Sequence, residues 1–344
     1  MQKDNFTTRL GTFSKDRFAA LTSIRTNALL AFREELCKLG YNEVATASLV
    51  NIAGSCENPH ASFKLNYYGR EAHLSQSAQL QLEALVLRLR KGFYTVNNSF
   101  REENYDDPES KNRRLSEFTL IEPERPYGNQ KPERVLNNII KQAEQIIKTV
   151  TDELLLKNRR ELSLLGGDVD YLQKITHIPF NIITYDQAID ILNKKYLNHY
   201  KFGDDMGIRE ERFILQSFNN VPTFITYHPT KLKFFNMKRT KDGQKTFSFD
   251  LLLPPLGETV GGAVREEDGD KIKKYLLNSK IGKFIADKNQ DPIMPFEEYF
   301  NLFKEEGDLV RGGFGVGFER FIGFVINSND ILNTIADTGI NIKQ

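Results

Sequence analysis

The spacing of apolar residues along the chain predicts a series of amphipathic helices. Apolar side chains recur every three or four positions between Phe18 and Leu36, which predicts a helix over 16–39 that ends at Gly40. The same periodicity predicts further helices within 73–92 after a turn, at about 131–156, from about 267 and around 294–305. Near the end of the chain, "GGFGVGFERFIGFVI" predicts a glycine-rich strand that leads into an apolar helix.

Short runs rich in β-branched and aromatic residues predict strands between these helices. "FYTVNNSFRE" and "LSEFTLIEPE" predict the two legs of a long antiparallel hairpin, and "YNEVATASLVNI" predicts another strand. "VPTFITYH", "LKFFNMKR" and "KTFSFDLLLPP" add three more, with turn signals such as "KDGQ" between them. Strands and helices do not alternate strictly, so we expect an α+β fold with an antiparallel sheet, in a single domain over 1–344. The weakly patterned segment 157–210 is interpreted as an insertion or a return segment.

Composition excludes several classes of protein. The chain has 47 Lys and Arg against 46 Asp and Glu, a formal net charge of +1, so its overall charge gives no strong attraction to nucleic acid. A near-neutral total is still compatible with a local basic patch that binds nucleic acid. Cys37 and Cys56 lack metal-ligand or redox spacing, which suits a reducing cytoplasm. No apolar run is long enough to span a membrane, so we expect a cytoplasmic protein with no membrane partner.

The predicted hairpin at 100–118, "FREENYDDPESKNRRLSEF", is unusually rich in charge. Its candidate ligand-binding residues are Arg101, Glu103, Arg113, Arg114 and Phe118. Because alternate residues of a strand share a face, we expect Phe118, Leu120 and Glu122 to point the same way. Guanidinium groups suit phosphate oxygens and an aromatic ring suits a base, so the hairpin is a candidate site for a nucleoside triphosphate. A solvated, salt-bridged hairpin explains this stretch equally well when it is taken alone.

A second constellation lies in the C-terminal half. Asp250 closes a β-rich run, Glu258 follows eight residues later, and Arg265 comes seven residues after that. The glycine pair 261–262 permits close backbone approach, and further glycines precede Arg320 at the start of the apolar helix. The chain has no Walker loop or dinucleotide fingerprint. The hairpin, the segment from Asp250 to Arg265 and the glycine-rich segment before Arg320 together favour a nucleotide site.

These motifs resemble those of class II aminoacyl-tRNA synthetases. "FRxE…RRLxEF" at 100–118 resembles motif 2 of that family, and "GFGVGFERF" at 313–321 resembles motif 3. The segments most similar to the asparaginyl-tRNA synthetase catalytic domain are "LSQSAQLQLEAL" at 74–85, "KFFNMK" at 233–238 and "DLLLPPLGETVGGAVREED" at 250–268. The resemblance extends over about 14–326, and it implies the class II catalytic fold with a six- to seven-stranded antiparallel sheet flanked by helices.

The resemblance also implies which residues would bind ATP and Mg²⁺. Arg101 would hold the α-phosphate and the carboxylate of the amino acid, and Arg320 would clamp the γ-phosphate, which makes these two the candidate catalytic residues. Glu103 would meet the adenine amino group while Phe118 stacks on the ring. Arg113 and Arg114 would contact the phosphates, and Arg114 stands where the family usually has histidine. Asp250 and Glu258 would bind Mg²⁺, and Glu258 also belongs to the ATP site.

For the amino acid, the resemblance implies a second set of residues. They are Glu57, Ser75, Gln76, Gln79, Glu122, Gly261, Gly262 and Arg265. Glu122 and Arg265 stand where asparaginyl enzymes read the two ends of the side-chain amide, and an acceptor paired with a charged donor does suit a carboxamide. Aspartyl relatives have a lysine at the position of Leu82, which favours asparagine over aspartate. A purely structural Glu122–Arg265 salt bridge is the alternative.

Departures from the family pattern bear on the acyl acceptor. Ala47 replaces the proline of the dimer-forming motif 1, Ala263 replaces a serine, and the "NYDDPESKN" loop is longer and more acidic than usual. The C-terminal segment that would close over the nucleotide is altered, and the anticodon-binding OB-fold domain of full-length relatives is not expected in this chain. A homodimer is still expected, as in the family.

The function that we predict is therefore an AMP-forming, ATP-dependent amino-acid ligase. It would activate asparagine or aspartate as an acyl-adenylate and pass the acyl group to ammonia or to another non-tRNA or carrier-bound acceptor, as asparagine-synthetase-like relatives do. The first alternative is a truncated asparaginyl-tRNA synthetase that charges tRNA through the acceptor stem, which the near-neutral charge and the acidic loop disfavour. The second is a non-catalytic sensor of an amino acid or an adenylate.

Overall fold

The computed structural model describes residues 14–55, 58–103, 112–197 and 199–336, together with the backbone pairing of Thr7–Thr8 with Ile340–Asn341. Glu57, which the sequence assigns to the amino-acid site, and most of the acidic hairpin loop lie outside the described residues. No helix among the described residues is both long and apolar enough to cross a membrane.

The strands occur throughout the chain and include both legs of the predicted hairpin, which are β6 and β7. They are β1 (Thr7–Thr8), β2 (Tyr41–Glu43), β3 (Leu49–Val50), β4 (Lys64–Tyr67), β5 (Arg70–Leu74), β6 (Gly92–Phe100), β7 (Glu117–Gly128), β8 (Asn181–Thr184), β9 (Thr223–Thr226), β10 (Ser248–Leu253), β11 (Gly257–Arg265), β12 (Val310–Gly317) and β13 (Ile340–Asn341).

The main sheet of the described residues has eight strands in the order β2-β6-β7-β12-β11-β10-β9-β8. Its six central strands pair antiparallel, which confirms the α+β class, but β2 pairs parallel with β6 and β8 pairs parallel with β9. The expected six or seven antiparallel strands are therefore corrected to a mixed sheet of eight. The two outer strands have only three and four residues, too few for a period of two to show in the sequence.

The helices agree with the strongest periodic segments. They are α1 (Lys15–Lys38), α2 (Ile52–Ser55), α3 (Gln79–Leu89), α4 (Pro132–Lys157), α5 (Arg159–Leu165), α6 (Val169–His177), α7 (Tyr185–Tyr196), α8 (Ile208–Ser217), α9 (Gly269–Leu277), α10 (Lys280–Ala286), α11 (Glu297–Glu306) and α12 (Phe318–Val325). Ser14 caps α1 by accepting a hydrogen bond from the backbone N–H of Arg17, and α1 ends before Gly40, whose φ of 83° a glycine adopts without strain.

The two faces of the sheet have different roles. Phe249, Leu251 and Leu253 of β10 join the main hydrophobic core, which α1 and α4 cover on one side of the sheet. The alternate residues Asp250 and Leu252 line a cavity on the other side. The period of two along each strand thus separates the residues that stabilise the fold from those that can meet a ligand.

Three segments differ from the sequence-based picture. "YNEVATASLVNI" was predicted to be one strand, but it contains two short strands, β2 and β3, which belong to different sheets. "LKFFNMKR" was predicted to be a strand, but it forms only a 3₁₀ turn at Thr230–Leu232 and isolated bridges at Met237 and Arg239. Phe235 and Asn236 are adjacent and both buried, which breaks the alternation that a strand requires. The weakly patterned segment 157–210 proves largely helical, with α5, α6, α7 and the start of α8 around the short strand β8.

Candidate active site

A large cavity, with a volume of about 1440 Å³, lies against the sheet face opposite α1 and α4. Phe118, Leu120 and Glu122 of β7 all line it, which confirms that these three residues share a face. Arg101 and Arg320, which are far apart in the sequence, line the same cavity. The structure therefore brings together the two arginines on which the nucleotide hypothesis depends.

The base of the hairpin positions Arg101 against an aromatic ring. The backbone N–H of Arg101 donates to the carbonyl oxygen of Ser116 at 2.9 Å, which joins the two legs just beyond the sheet. The guanidinium carbon of Arg101 lies 5.2 Å from the centre of the Phe118 ring, within the range of a cation–π contact. A cation and an aromatic face thus stand side by side at the cavity wall.

Arg320 enters the cavity from the first turn of α12. Its guanidinium donates to the backbone carbonyl of Glu258 and lies 3.8 Å from the carboxylate of the same residue. Burial and the nearby positive charges of Arg113 and Arg101 lower the pKa of Arg320 to about 10, although Glu258 opposes this shift. The positive charges of these guanidinium groups repel one another, and a bound polyanion would offset that repulsion. The cluster therefore suits a polyanion.

The two remaining arginines of the hairpin, Arg113 and Arg114, are in different surroundings. Arg113 is buried and donates to the carboxylate of Glu211 and, at 3.1 Å, to the backbone carbonyl of Leu256. Arg114 is exposed and pairs at 3.2 Å with Glu103, the residue assigned to adenine. Both line the cavity, but Arg113 also anchors the loop to α8. The sequence offered no signal for Glu211, because its partner lies 98 positions away.

The two carboxylates assigned to Mg²⁺ converge at Gly261. A Cβ built on Gly261 would lie 3.4 Å from Glu258 Oε1 and 3.5 Å from Asp250 Oδ1. Asp250 also accepts hydrogen bonds of 2.6 Å at both oxygens from Lys233 Nζ, and its Oδ2 lies 3.0 Å from His228 Nε2. Burial opposes ionisation of Asp250, but the charges of His228 and Lys233 outweigh it, and its pKa lies well below its usual range.

The amino-acid end of the cavity holds Glu122 and Arg265 in separate sets of contacts. Glu122 accepts hydrogen bonds from the Ser77 hydroxyl and, at 2.9 Å, from the backbone N–H of Ala78, where α3 begins. Arg265 does not pair with Glu122 among the described contacts, and its Nη2 donates to Glu124 Oε2 at 2.9 Å. The structural alternative of a Glu122–Arg265 salt bridge is therefore not what the described contacts show, because Arg265 pairs with Glu124, and the assignment of Glu122 and Arg265 to the substrate amide stays a prediction. Burial, the largest influence, raises the pKa of Glu124 to about 7 despite Arg265.

Beneath this end lies a buried polar network centred on Glu83. Arg311 Nε donates to its carboxylate at 2.9 Å, the Tyr299 hydroxyl donates at 2.9 Å, and the Asn236 side-chain amide also donates to it. Arg265 lies 3.8 Å from Glu83, so this network supports the Glu124–Arg265 pair from below. Glu83 and Arg311 are both fully buried. The only sequence signal for Glu83 was that it is the single acidic residue of helix α3.

The remaining predicted contacts fall into two groups. Gln79 lines the cavity and donates to Glu83 at 3.3 Å. Ser75 and Gln76 are buried outside the cavity lining, and the Gln76 amide donates to the backbone carbonyls of Asn58 and Ala61 at 2.8 and 2.9 Å. Gln76 therefore braces the 3₁₀ turn Pro59–Ala61, and the Ser75 hydroxyl donates to the backbone carbonyl of Gly54 at 3.2 Å.

The adjacent glycines of β11 are required for different reasons. A Cβ on Gly262 would lie 2.5 Å from the Phe249 ring and 2.7 Å from Phe314, closer than packed atoms allow. A Cβ on Gly261 would make only ordinary contacts, but it would occupy the space between Asp250 and Glu258. Gly262 thus serves core packing, and Gly261 keeps the acidic end of the cavity open.

Comparison with known proteins places this site in a family. The chain matches the model of the tRNA synthetases class II (D, K and N) over residues 2–336. It is 35% identical over 316 residues to the asparagine–tRNA ligase of Pyrococcus horikoshii, which covers 91% of this chain and 66% of that protein. The corresponding ligase of Mycoplasma capricolum subsp. capricolum is 29% identical over 338 residues, which covers 92% of this chain and 70% of that protein.

A solved structure gives the same result. The crystal structure of asparaginyl-tRNA synthetase from Pyrococcus horikoshii complexed with asparaginyl-adenylate matches with a TM-score of 0.80 and 31% identity, over 93% of this chain and 68% of that chain. The chain spans about two thirds of the length of the curated relatives that it matches. Motif, fold and overall similarity agree, and the chain belongs to the class II tRNA synthetases of the D, K and N group.

Proposed function

We propose that this chain uses ATP to activate asparagine as asparaginyl-adenylate and then passes the asparaginyl group to tRNA. The observation that carries the proposal is the convergence of Arg101, Arg320 and Phe118 with the carboxylates of Asp250 and Glu258 in one cavity. A bent triphosphate, an adenine ring and a divalent ion are the groups that such a set suits.

The first reaction needs no protein nucleophile. A carboxylate oxygen of asparagine attacks the α-phosphorus of ATP, so that an O–P bond forms and the bond to the bridging oxygen of the β-phosphate breaks. Pyrophosphate leaves with the electron pair. Arg101 would stabilise negative charge on the α-phosphate and Arg320 the charge on the leaving group, so catalysis rests on positioning and electrostatics.

The second reaction transfers the acyl group. A terminal ribose hydroxyl of tRNA attacks the acyl carbon, a new ester C–O bond forms, and the C–O bond to AMP breaks. AMP leaves with the electron pair, and the hydroxyl proton passes to its phosphate or to solvent. The relatives named asparagine–tRNA ligases favour tRNA as the acceptor over the ammonia or carrier-bound acceptors that the sequence motifs placed first.

The charges at the amino-acid end support asparagine over aspartate. The guanidinium groups of Arg265 and Arg311 are each hydrogen-bonded to a buried carboxylate, Glu124 and Glu83 respectively. Glu122 adds a third acid at the cavity wall, and Leu82 is apolar. Arg265 and Arg311 are therefore already paired and do not offer a partner to the side-chain carboxylate of aspartate. Burying that carboxylate without a compensating positive charge would be costly.

The acidic end of the cavity fits Mg²⁺. Carboxylate oxygens are its preferred protein ligands, and Asp250 and Glu258 converge on the open space at Gly261. No group of three His, Cys, Asp or Glu side chains in the described ranges is placed to hold a metal ion, so phosphate oxygens and water would complete its shell. When bound there, Mg²⁺ would neutralise charge on the phosphates.

Pyrophosphate exchange tests the proposal directly. The chain is incubated with ATP, Mg²⁺ and labelled pyrophosphate, with asparagine or aspartate supplied alone, and we expect exchange that depends on asparagine. Absence of exchange with both amino acids, together with tight binding of asparagine, would favour the sensor hypothesis. Labelled asparagine is then offered with bulk tRNA or with ammonia. Label in acid-precipitable tRNA supports the proposal, and a product with ammonia alone contradicts it.

A further inference from the structure

We infer that the mouth of the cavity carries a binding site for the single-stranded 3′ end of an RNA acceptor. The site is formed by Arg239, Tyr275, Lys280 and Lys283, which we call the mouth patch, and all four residues line the cavity. The inference rests on the proposed function and deepens it, because it names the residues that would receive the acceptor.

The cations of the mouth patch differ from most others in the cavity. Arg113, Arg114, Lys233, Arg265 and Arg320 each lie within 4 Å of a carboxylate. In the part of the chain that the structure describes, no carboxylate lies within that distance of Arg239, Lys280 or Lys283. Three cations without a described carboxylate partner in the lining of one cavity indicate that their counter-charge comes from a ligand.

The mouth patch is compact and basic. The guanidinium carbon of Arg239 lies 3.4 Å from the centre of the Tyr275 ring, so it stacks on one face of that ring. Lys280 and Lys283 are one turn apart on α10 and therefore project from the same side of the helix. Both lysines are exposed, so their ammonium groups are accessible to a ligand.

Packing holds α10 at this position. A Cβ on Gly282 would lie 2.1 Å from the carbonyl oxygen of Leu276, so α10 is pressed against the end of α9. On its other side the Phe284 ring lies 4.9 Å from the ring of His60, in the 3₁₀ turn Pro59–Ala61 at the cavity wall. The two lysines are thus presented at the opening by a packed helix.

The chemistry of the mouth patch fits a nucleic-acid strand. Phosphodiester groups recur along a single strand and can meet several cations at once, and a stacked Arg–Tyr pair suits an unpaired base. Ammonia, the small acceptor considered above, is present in neutral solution mostly as ammonium, and the mouth patch would repel this cation. A carrier protein bearing one phosphate group would use at most one or two of the three cations.

Binding of bulk tRNA to the full chain tests the inference. The probe is compared with the same tRNA from which the 3′-terminal nucleotides have been removed by a phosphodiesterase. The test variant is Lys280→Gln with Lys283→Gln, and the matched control is Lys273→Gln with Lys274→Gln on exposed positions of α9 that do not line the cavity. Lys280→Arg with Lys283→Arg retains both charges and tests for rescue.

We expect the test variant to bind intact tRNA about tenfold more weakly and with a salt dependence reduced by roughly one phosphate contact for each lysine lost. The control and the arginine variant should bind like the unaltered chain, and shortened tRNA should bind equally to all four proteins. Equal loss in test and control variants, loss that persists with shortened tRNA, or no tRNA binding at all would overturn the inference. Pyrophosphate exchange by the unaltered chain, measured separately, shows whether the proposed activation itself has failed.

Discussion

The guanidinium of Arg320 donates a hydrogen bond to the backbone carbonyl oxygen of Glu258 and lies 3.8 Å from the carboxylate of that residue. The first turn of α12 is thereby tied to the start of β11, and the cation is oriented before any ligand arrives. A preorganised charge costs no reorganisation when the phosphates bind, which is the condition under which electrostatic stabilisation is most effective.

Loss of this oriented charge should be visible in catalysis. We expect Arg320→Ala to lower the rate of asparagine-dependent pyrophosphate exchange by about 10²–10³-fold, as removal of one preorganised donor does. Arg320→Lys should recover only part of the rate, because an ammonium cannot reproduce the planar fork. Arg33→Ala, which breaks an exposed pair with Glu43, is the control. Full exchange by a folded Arg320→Ala protein would contradict the assignment.

The choice of amino acid should respond to charge at Leu82. This side chain is buried and lines the cavity near Glu124. We expect Leu82→Lys to raise the rate with aspartate relative to asparagine by about tenfold or more, because the ammonium supplies the missing partner for a second carboxylate. The volume-conserving variant Leu82→Met should leave the ratio unchanged. The two exchange rates are measured side by side, and a constant ratio in a folded lysine variant would refute this account of specificity.

The Glu83–Arg311 pair should matter for stability. Both side chains are fully buried, so Arg311→Met leaves an uncompensated carboxylate and should lower the free energy of unfolding by about 3–5 kcal/mol. The double variant with Glu83→Leu should lose less than the single one, since the unpaired charge is gone. Arg88→Met breaks an exposed pair with Glu305 and should cost less than about 1 kcal/mol. Denaturant unfolding compares the three, and equal losses at positions 311 and 88 would be inconsistent with the structure.

His73 should contribute to the pH dependence of stability. It is buried, its Nδ1 lies 2.8 Å from the Ser62 hydroxyl, and burial lowers its pKa although Glu71 opposes this. The unfolded chain therefore takes up a proton on this residue first as the pH falls below about 6.5, and the folded state loses stability from there downward. Melting temperatures between pH 7 and 5 should fall less steeply for His73→Gln. An unchanged slope would show that His73 is not the titrating group.

Patterns within single segments proved reliable predictors. The period of two placed Phe118, Leu120 and Glu122 on one face, and the helical period located α1 to within one residue at each end, because both depend only on local backbone geometry. The motif spacing also led to one cavity that holds Arg101 and Arg320.

Pairings between distant segments were not predictable in the same way. Arg265 bonds Glu124 rather than Glu122, and these carboxylates are two residues apart on the same face of β7, so only the register of β7, β12 and β11 decides between them. The hydrogen bond from Lys233 to Asp250 likewise depends on how the segment that carries Lys233, which is not a strand, folds back across the sheet. Local pattern carries no information on either point.

The contacts of Asp250 have a practical consequence. Lys233 already balances the carboxylate and His228 lies within hydrogen-bond distance of it, so the protein supplies its own counter-charge at the place where a divalent ion would bind. We therefore expect the chain to fold without the ion, unlike small domains that unfold when their metal is removed. On this account the protein should survive purification and storage in the presence of a chelator, with the ion supplied later together with the nucleotide.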